Sequence, residues 1–252
     1  MQEVLFAALV CFAVIPANST EFERILLPIA VPYELPGAFG SRWITHVTAR
    51  NDNDASVIIT PSPGGCLITV CPTREVGAKT TVTPEFGPAG FPGGFIWVSK
   101  PGNSRVELNL RVQDVSRQAL TWGTEIPVVR EGDLRTDTIT LLEIPTDSRF
   151  RSALRVYDFD GSFNNRVRVR IYELFANETL ADTFLTLGMP NGLEDSAIPG
   201  IAQIGSLTDA FPGIANRRVR IEITPDTPGL RFWAFVSVTN NETQHVTTIT
   251  PQ

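Results

Sequence analysis

Three segments of the chain alternate strictly between apolar and polar residues, and this pattern constrains the fold more than any other feature. Every second position is apolar in residues 106–112, 167–171 and 219–223, and the positions between are charged or amide-bearing. A period of two is typical of antiparallel strands with one buried and one solvated face. Residues 230–236 are apolar on both faces, which predicts a central strand, and no stretch shows a helical period with caps.

Turn signals separate these runs and set the scale of the predicted fold. The chain contains 19 glycines and 19 prolines, with turn-forming pairs at 51–52, 101–102 and 228–229. The spacing gives about seven strands in each half, which is typical of immunoglobulin-like sandwiches. We therefore predict an all-β protein of two tandem antiparallel β-sandwich domains, residues 20–130 and 131–252, with the boundary near residues 128–133.

The two predicted domains share ordered sequence echoes. Residues 41–47 resemble 148–154, residues 91–93 resemble 211–213, and a strand–turn–strand pattern in 95–113 resembles that in 218–238. Because the three echoes occur in the same order, they favour a diverged internal duplication whose second copy has longer loops.

Composition excludes two broad classes of protein. With 42% hydrophobic and 19% charged residues, the chain is predicted to be globular rather than disordered. Its formal net charge of −6 argues against a general nucleic-acid-binding protein.

The N-terminus has the length pattern of an export signal. Residues 4–15 are apolar, which is short for a membrane span and suited to the core of a signal peptide. Small residues at 17 and 19 allow cleavage, so residues 1–19 are predicted to be a signal peptide and the mature chain to start near Thr20. The segment before the apolar run carries Glu3 and no basic residue, which indicates an atypical signal peptide or a different start codon. The alternative to a signal peptide is that the apolar run forms a buried first strand.

No later segment is long and apolar enough to anchor the chain, so we expect no membrane insertion after signal cleavage. The predicted location is the cell exterior, either secreted or periplasmic.

Two cysteines would remain after removal of Cys11. In an exported chain, Cys66 and Cys71 suggest a disulfide. A straight strand would hold their Cα atoms roughly 16 Å apart, beyond the reach of a disulfide, so the segment must turn. Free thiols are the alternative. A structural zinc site is disfavoured because only His46 and His245 are available to complete four ligands.

Two short motifs near the ends of the predicted mature chain carry a family resemblance. The opening motif matches a Pro-Gly-x-x-Gly-[ST]-x-Trp-x-Thr pattern, and the closing motif matches Ser-Val-x-[DN]-Asn-x-Thr. The matching residues are Pro36, Gly37, Gly40, Ser41, Trp43 and Thr45, and then Ser237, Val238, Asn240, Asn241 and Thr243. The chain resembles an uncharacterised family of secreted bacterial proteins with tandem β-sandwich repeats. The acidic residue usual after the closing motif is replaced by Gln244 and His245.

That resemblance implies export and architecture, and it implies no activity. The sequence itself lacks a nucleophile elbow, a phosphate loop, a dinucleotide fingerprint and a zinc-protease motif. His46 is predicted to lie in a strand facing solvent, so a hydrolytic triad is not indicated. We therefore predict a protein that is not an enzyme and needs no cofactor.

Arginines in the second half form the first candidate binding feature. With a period of two, three of these arginines share one face of a strand, and three more share one face of the next strand. If the two faces adjoin, they could bind an anionic glycan or an acidic partner. The alternative is a solvated face with cross-strand carboxylates such as Glu173 and Glu222. The six candidates are Arg149, Arg151, Arg155, Arg166, Arg168 and Arg170.

Exposed aromatic side chains form the second candidate feature, because they can stack on sugar rings. Most of the four tryptophans are predicted to be core residues, Trp233 among phenylalanines and Trp43 at the start of an alternating strand. Trp122 lies beside Gly123 in a turn-rich region and is the candidate for exposure.

The segment VYDFDGSFNN, residues 156–165, resembles the start of a calcium loop, with Asp158, Asp160 and Asn164 as candidate ligands. A calcium loop also needs a later bidentate carboxylate, and the twelfth position from Asp158 is the apolar Val169. In the duplication, Asp158 aligns with Asn51, which favours an Asx turn in both copies. Calcium stays an alternative only if a distant loop supplies further ligands.

Taken together, these patterns predict a non-catalytic, exported structural or interaction protein of adhesion type. Its partner is expected to be an extracellular protein or glycan of unknown identity. The alternative is a carbohydrate-binding module that uses an arginine-rich or aromatic sheet face.

Overall fold

The computed structural model describes residues 22–31, 33–61, 74–84, 93–100, 102–117, 122–161, 164–188 and 199–251. Within these ranges the chain forms antiparallel sheets, short 3-10 turns and one four-residue α-helix, α1 (Leu207–Ala210), so the predicted all-β class is confirmed. No helix in this described part is long and apolar enough to cross a membrane.

The strands divide between two halves of the chain. The first half contains β1 (Phe22–Leu27), β2 (Leu35–Pro36), β3 (Arg42–Asn51), β4 (Val57–Pro61), β5 (Arg74–Val76), β6 (Thr81–Val82), β7 (Gly94–Ser99), β8 (Val106–Asp114) and β9 (Thr124–Ile126). The second half contains β10 (Ile139–Pro145), β11 (Phe150–Asp158), β12 (Asn165–Glu173), β13 (Thr179–Leu187), β14 (Gly200–Ile204), β15 (Arg218–Pro225), β16 (Phe232–Asn240) and β17 (Val246–Ile249).

Each half contains two sheets around an apolar core. In the first half, one sheet has the order β1-β7-β4-β5 and the other β2-β3-β8-β9, with β6 also paired to β3. Alternate residues of both sheets form its core: Ile25, Leu27, Val47, Ala49, Val57, Ile59, Val76, Ile96, Val98, Val106, Leu110, Val112 and Ile126.

The second half has sheets of order β10-β15-β12-β13 and β14-β11-β16-β17. The apolar positions of the alternating strands point into its core as predicted, because burying them removes them from water. The strand residues of this core are Ile139, Leu141, Ile144, Leu154, Val156, Val167, Val169, Ile171, Leu187, Val219, Ile221, Ile223, Phe232, Ala234, Val236 and Val238.

The strand order is the same in the two halves once the short β2 is left out. If the remaining eight strands of each half are numbered 1 to 8 in chain order, one sheet of each half has the order 1-6-3-4 and the other has the order 5-2-7-8. Immunoglobulin constant domains also pair strands 2 with 5 and 3 with 6, but their first strand pairs with the second and their seventh with the sixth. Here the first strand pairs with the sixth and the seventh with the second, so the predicted immunoglobulin-like order is met only in part.

A third apolar cluster joins the two halves. Its residues lie on the outer faces of β1 and β7 and of β11 and β16, in the short segments that follow β9 and β11, and away from both cores. They are Leu26, Phe95, Trp97, Val129, Tyr157, Phe159, Trp233 and Phe235, and we call them the aromatic interface. The ring centroids of Phe95 and Phe159 are 4.7 Å apart with an edge-on geometry, which is favourable for aromatic pairs.

The connection between β9 and β10 is hydrogen-bonded to both halves. Val129 and Leu26 exchange backbone hydrogen bonds of 2.9 and 2.8 Å. Six residues later, Arg135 and Phe232 exchange bonds of 3.0 and 2.9 Å. This connection is therefore paired at two points, one in each half, with a single 3-10 turn (Glu131–Asp133) between them.

Candidate functional site

Five arginines cover the outer face of the β10-β15-β12-β13 sheet, and we call this surface the arginine face. Three are the predicted residues of β12 and two lie on the neighbouring strand β15: Arg166, Arg168, Arg170, Arg218 and Arg220. Aromatic rings lie among the guanidinium groups. Arg166 lies over Phe184 at 4.5 Å and Arg220 over Tyr172 at 4.3 Å, both within the range of cation–π contacts.

Carboxylates neutralise most of the arginine face. The shortest ion-pair distances are 3.3 Å for Arg166–Asp226, 2.5 Å for Arg168–Asp182, 3.6 Å for Arg170–Asp182, 2.7 Å for Arg218–Glu143 and 3.4 Å for Arg220–Glu222. The hydrogen bond from Arg168 holds the pKa of Asp182 below its usual value. An anionic ligand would therefore have to displace carboxylates that already occupy these guanidinium groups.

The other predicted arginines do not adjoin this face. Strand β11 belongs to the other sheet of the second half, so Arg151 and Arg155 lie on a different surface from the β12 arginines. Arg149 precedes β11 and pairs locally with Asp147, Nε to Oδ1, at 2.8 Å. The condition that the two arginine faces adjoin is therefore not met, because β11 and β12 lie in different sheets.

Arg155 lies partly buried on the outer face of β11. Its Nη1 donates to Ser237 Oγ at 2.8 Å, and its guanidinium lies 5.7 Å from the ring centroid of Phe235. Its Nε is shielded from solvent and has no hydrogen-bond partner within the described residues. Burial lowers the pKa of Arg155, but a guanidinium stays charged at neutral pH.

The tryptophans differ sharply in exposure. Trp97 and Trp233 are buried in the aromatic interface, and Trp43 is partly buried beside the core of the first half. Trp122 has 82% of its surface exposed. Its neighbour Gly123 has a φ of +82°, and a Cβ there would lie 2.8 Å from the Val112 carbonyl oxygen, so glycine is required at this turn.

A groove of about 620 Å³ lies between the halves near this tryptophan. One lining residue comes from the first half and seven from the second: Arg117, Phe150, Val238, Asn240, Glu242, Thr243, His245 and Thr247. Thr124, two residues after Trp122, donates to the Val246 carbonyl at 2.5 Å. Because Val246 lies between two lining residues, this bond places the Trp122 turn beside the groove.

The groove combines an apolar floor with polar groups that are free to bind. Phe150 and Val238 are the apolar lining residues, and Glu242 and His245 are exposed. Within the described residues, neither the Glu242 carboxylate nor the His245 imidazole has a hydrogen-bonding or ionic partner. Arg117 is already paired with Asp114 at 2.6 Å. Sequence patterns missed this groove because Arg117, Phe150 and the residues between 238 and 247 come together only in the folded chain.

Within its described residues, the segment that resembles a calcium loop has the hydrogen bonds of an Asx turn. Asp158 is fully buried at the end of β11, where Oδ1 accepts from the Asp160 N–H at 2.9 Å and Oδ2 accepts from Asn165 Nδ2 at 2.7 Å. The third candidate, Asn164, has a φ of +63°, a conformation that asparagine tolerates in turns. No group of three or more histidine, cysteine or acidic residues suited to a metal occurs in the described part of the chain.

Asp160 instead connects the two halves. Its carboxylate accepts hydrogen bonds from Arg231 and, at 3.4 Å, from Nη2 of Arg24 in β1. Arg24 also donates to the Phe159 carbonyl at 3.1 Å and lies 4.5 Å from the Phe159 ring centroid. We call Arg24, Phe159, Asp160 and Arg231 the clasp.

Acid should weaken the clasp. Burial alone raises the pKa of Asp160, but the bonds and charges of Arg231 and then Arg24 outweigh burial and hold it below its usual value. Because the pKa of Asp160 is lower in the folded state than in the unfolded state, where it is about 3.9, the ionised carboxylate stabilises the fold above that pH. This stabilisation is lost as the pH falls through the folded-state pKa. We expect Asp160→Asn to lose less unfolding free energy than wild type between about pH 5 and pH 2, measured by urea denaturation. Exposed Asp137→Asn is the control, and equal pH slopes for Asp160→Asn and wild type would contradict the assignment.

The first half of the chain builds a similar turn with an amide. Asn51 is fully buried at the end of β3, and its Oδ1 accepts from the Asn53 N–H at 2.9 Å. Its Nδ2 donates to the carbonyls of Ala55, Val76 and Gly77 at 2.9 to 3.0 Å. Both strands thus end in a buried Asx turn, which agrees with the alignment of Asn51 with Asp158.

The two motifs that carry the family resemblance also shape turns. A Cβ on Gly37 would lie 2.4 Å from Ser41 Oγ and from Trp43 Nε1, so the opening turn requires glycine. At the other end, Asn240 Oδ1 accepts from the backbone N–H groups of Glu242 and Thr243 at 2.9 and 3.0 Å. The motif residues therefore have direct structural roles in the fold.

Cys66 and Cys71, and the predicted signal peptide, lie outside the described residues. Searches with the chain found no matching family model, no matching curated protein and no matching solved structure.

Proposed function

We propose that the chain is a non-catalytic, exported structural or interaction protein in which two sandwiches, residues 20–130 and 131–252, arose by duplication. The identical strand order of the halves supports the duplication, and so do the matching Asx turns at Asn51 and Asp158. The observation that carries the role is the aromatic interface, through which the two sandwiches pack against each other. Tandem sandwiches held together by a buried interface suit a role in spacing or presenting surfaces outside the cell.

The resemblance to secreted bacterial proteins supports the same proposal. Gly37, Ser41 and Trp43 of the opening motif and Asn240 of the closing motif have structural roles, as expected for a family defined by its fold.

Export is tested with the full chain carrying a C-terminal tag in a Gram-negative host. We expect the tagged protein in the periplasm or medium, with an N-terminus near Thr20 by protein sequencing. Deleting residues 4–15 should retain it in the cytoplasm. A full-length cytoplasmic product starting at Met1 would contradict the export proposal.

A carbohydrate-binding role is the second candidate, and the exposed Trp122 beside the groove favours it. Protein aromatic rings stack on apolar faces of sugar rings, and the free carboxylate and imidazole of Glu242 and His245 can accept and donate hydrogen bonds to hydroxyl groups. The groove fits a neutral sugar better than the arginine face fits an anionic one, because carboxylates already occupy that face.

A glycan array on the purified chain separates the two roles. If the second candidate is correct, binding to neutral glycans should be lost in Trp122→Ala, while the free energy of unfolding changes by less than about 0.5 kcal/mol because the side chain is exposed. Arg168→Ala is the matched control on the arginine face and should bind like wild type. An array without hits would leave the structural role, and hits that survive Trp122→Ala but not Arg168→Ala would move the site to the arginine face.

A further inference from the structure

Strand β13 is a long free edge of the second sandwich. It ends the β10-β15-β12-β13 sheet and runs over nine residues, Thr179–Leu187, with only β12 paired along these nine residues in the described part of the chain. The next residue, Gly188, exchanges backbone hydrogen bonds with Ile201 of β14, so the edge is covered just beyond Leu187. Apart from Asp182, residues 179–187 carry no charge, and they contain no proline or glycine. An edge strand of this kind exposes unpaired N–H and C=O groups to another strand.

The other sheet ends are short or blocked. Strands β5, β9, β14 and β17 have three to five residues, and β2 and β6 have two. Strand β1 is covered by Val129, which bonds to Leu26. Strand β10 has a register shift after Leu141, a positive φ at Glu143 and a terminal Pro145. These are the devices that protect edges from pairing, and β13 has none along its regular part, Ala181 to Leu187.

That regular part is self-complementary. Its register with β12 is unbroken over residues 181–187, and a shift occurs only before Ala181. In an antiparallel pair of two copies centred on Phe184, each Phe184 lies opposite its symmetry mate. Asp182, the one charge in these residues, then lies opposite Thr186 of the other copy, so no like charges meet.

Burial of apolar surface also favours this pairing. Phe184 is 46% exposed on the outer face, where Arg166 and Arg168 lie over its ring. On the inner face, Ala181 and Leu185 pack at the margin of the core and stay partly exposed. A second β13 would cover all three side chains, extending both the core and the outer aromatic cluster.

We propose that two copies of this chain associate through β13, in an antiparallel pair centred on Phe184. The two four-stranded sheets then form one continuous eight-stranded sheet with two-fold symmetry, an isologous contact. This inference rests on the proposed interaction role and names a second copy as the partner. A strand of another protein could also pair with this edge, but only a second copy supplies the same segment, in which Asp182 is the one charge and lies opposite Thr186.

Sedimentation velocity over a concentration series tests the association. Wild-type protein lacking residues 1–19 should shift from monomer to dimer as concentration rises, and Phe184→Lys should remain monomeric because two lysines would meet at the symmetry axis. Phe175→Lys is the matched control: Phe175 is 81% exposed in the loop after β12, and this variant should dimerise like wild type. A wild type that stays monomeric at every soluble concentration would overturn the proposal, and so would dimerisation of Phe184→Lys.

Disulfide trapping tests the register. Opposite residues of an antiparallel pair have Cα atoms about 4.5 to 5.5 Å apart, within the range for disulfides. Under mild oxidation, Phe184→Cys should give a reducible covalent dimer well above the background of the native cysteines in wild type. Phe175→Cys should stay at that background, and equal trapping in the two variants would overturn the register. If the wild-type protein is exported normally but does not dimerise, a second copy is not the partner, and the proposed structural or interaction role still stands.

Discussion

Replacing Phe159 with alanine should lower the free energy of unfolding by about 3 to 5 kcal/mol, the usual cost of deleting a buried phenylalanine. The side chain is fully buried between the halves, 4.7 Å from the Phe95 ring centroid, with Arg24 and Arg231 over its ring. Alanine would leave a cavity at the aromatic interface and remove both cation–π contacts. Urea denaturation followed by fluorescence measures the loss.

The matched control is Phe175→Ala. Phe175 is also a phenylalanine in contact with an arginine, Arg218, but it is exposed, so the change should stay within about 0.5 kcal/mol. Phe159→Ala should also separate unfolding into two transitions, because the interface couples the two cores. Equal losses in the two variants, or a single sharp transition in Phe159→Ala, would show that the coupling of the halves does not depend on Phe159.

The alternation of apolar residues was sufficient to predict strands and their buried faces. Val167, Val169 and Ile171 point inward, as a period of two requires. Alternation says nothing about which strands pair, because pairing depends on long-range contacts. For this reason the sequence left open whether the faces of Arg151 and Arg168 adjoin, and the structure places β11 and β12 in different sheets.

The candidate site was less predictable than the fold. Trp122 was singled out by its turn-rich neighbourhood, but Arg117 and His245 reach one groove only through the packing of the two halves. The segment around Asp158 shows the same limit. Its turn could be read from local residue types, whereas the bond between Asp160 and Arg24 joins residues 136 positions apart.

Replacing Asn51 with aspartate should cost about 3 to 5 kcal/mol of stability, since lost buried hydrogen bonds and an unpaired buried charge are both costly. The Asn51 amide donates to three backbone carbonyls from two separate loops, while its oxygen caps the turn after β3. Aspartate keeps the acceptor and loses both donors, and its second oxygen would face three carbonyl oxygens. Thermal and urea denaturation at neutral pH measure the effect.

Asn177→Asp is the control for this substitution. Asn177 is exposed, and its Oδ1 accepts from Arg220, so aspartate keeps that bond and adds a charge that attracts the guanidinium. Its stability should therefore stay near that of wild type. Lowering the pH should recover part of the stability lost in Asn51→Asp, because protonation removes the buried charge and restores one donor. If Asn51→Asp is as stable as Asn177→Asp, the Asn51 amide does not hold the two loops together. The alignment of Asn51 with Asp158 would then not reflect a shared structural role.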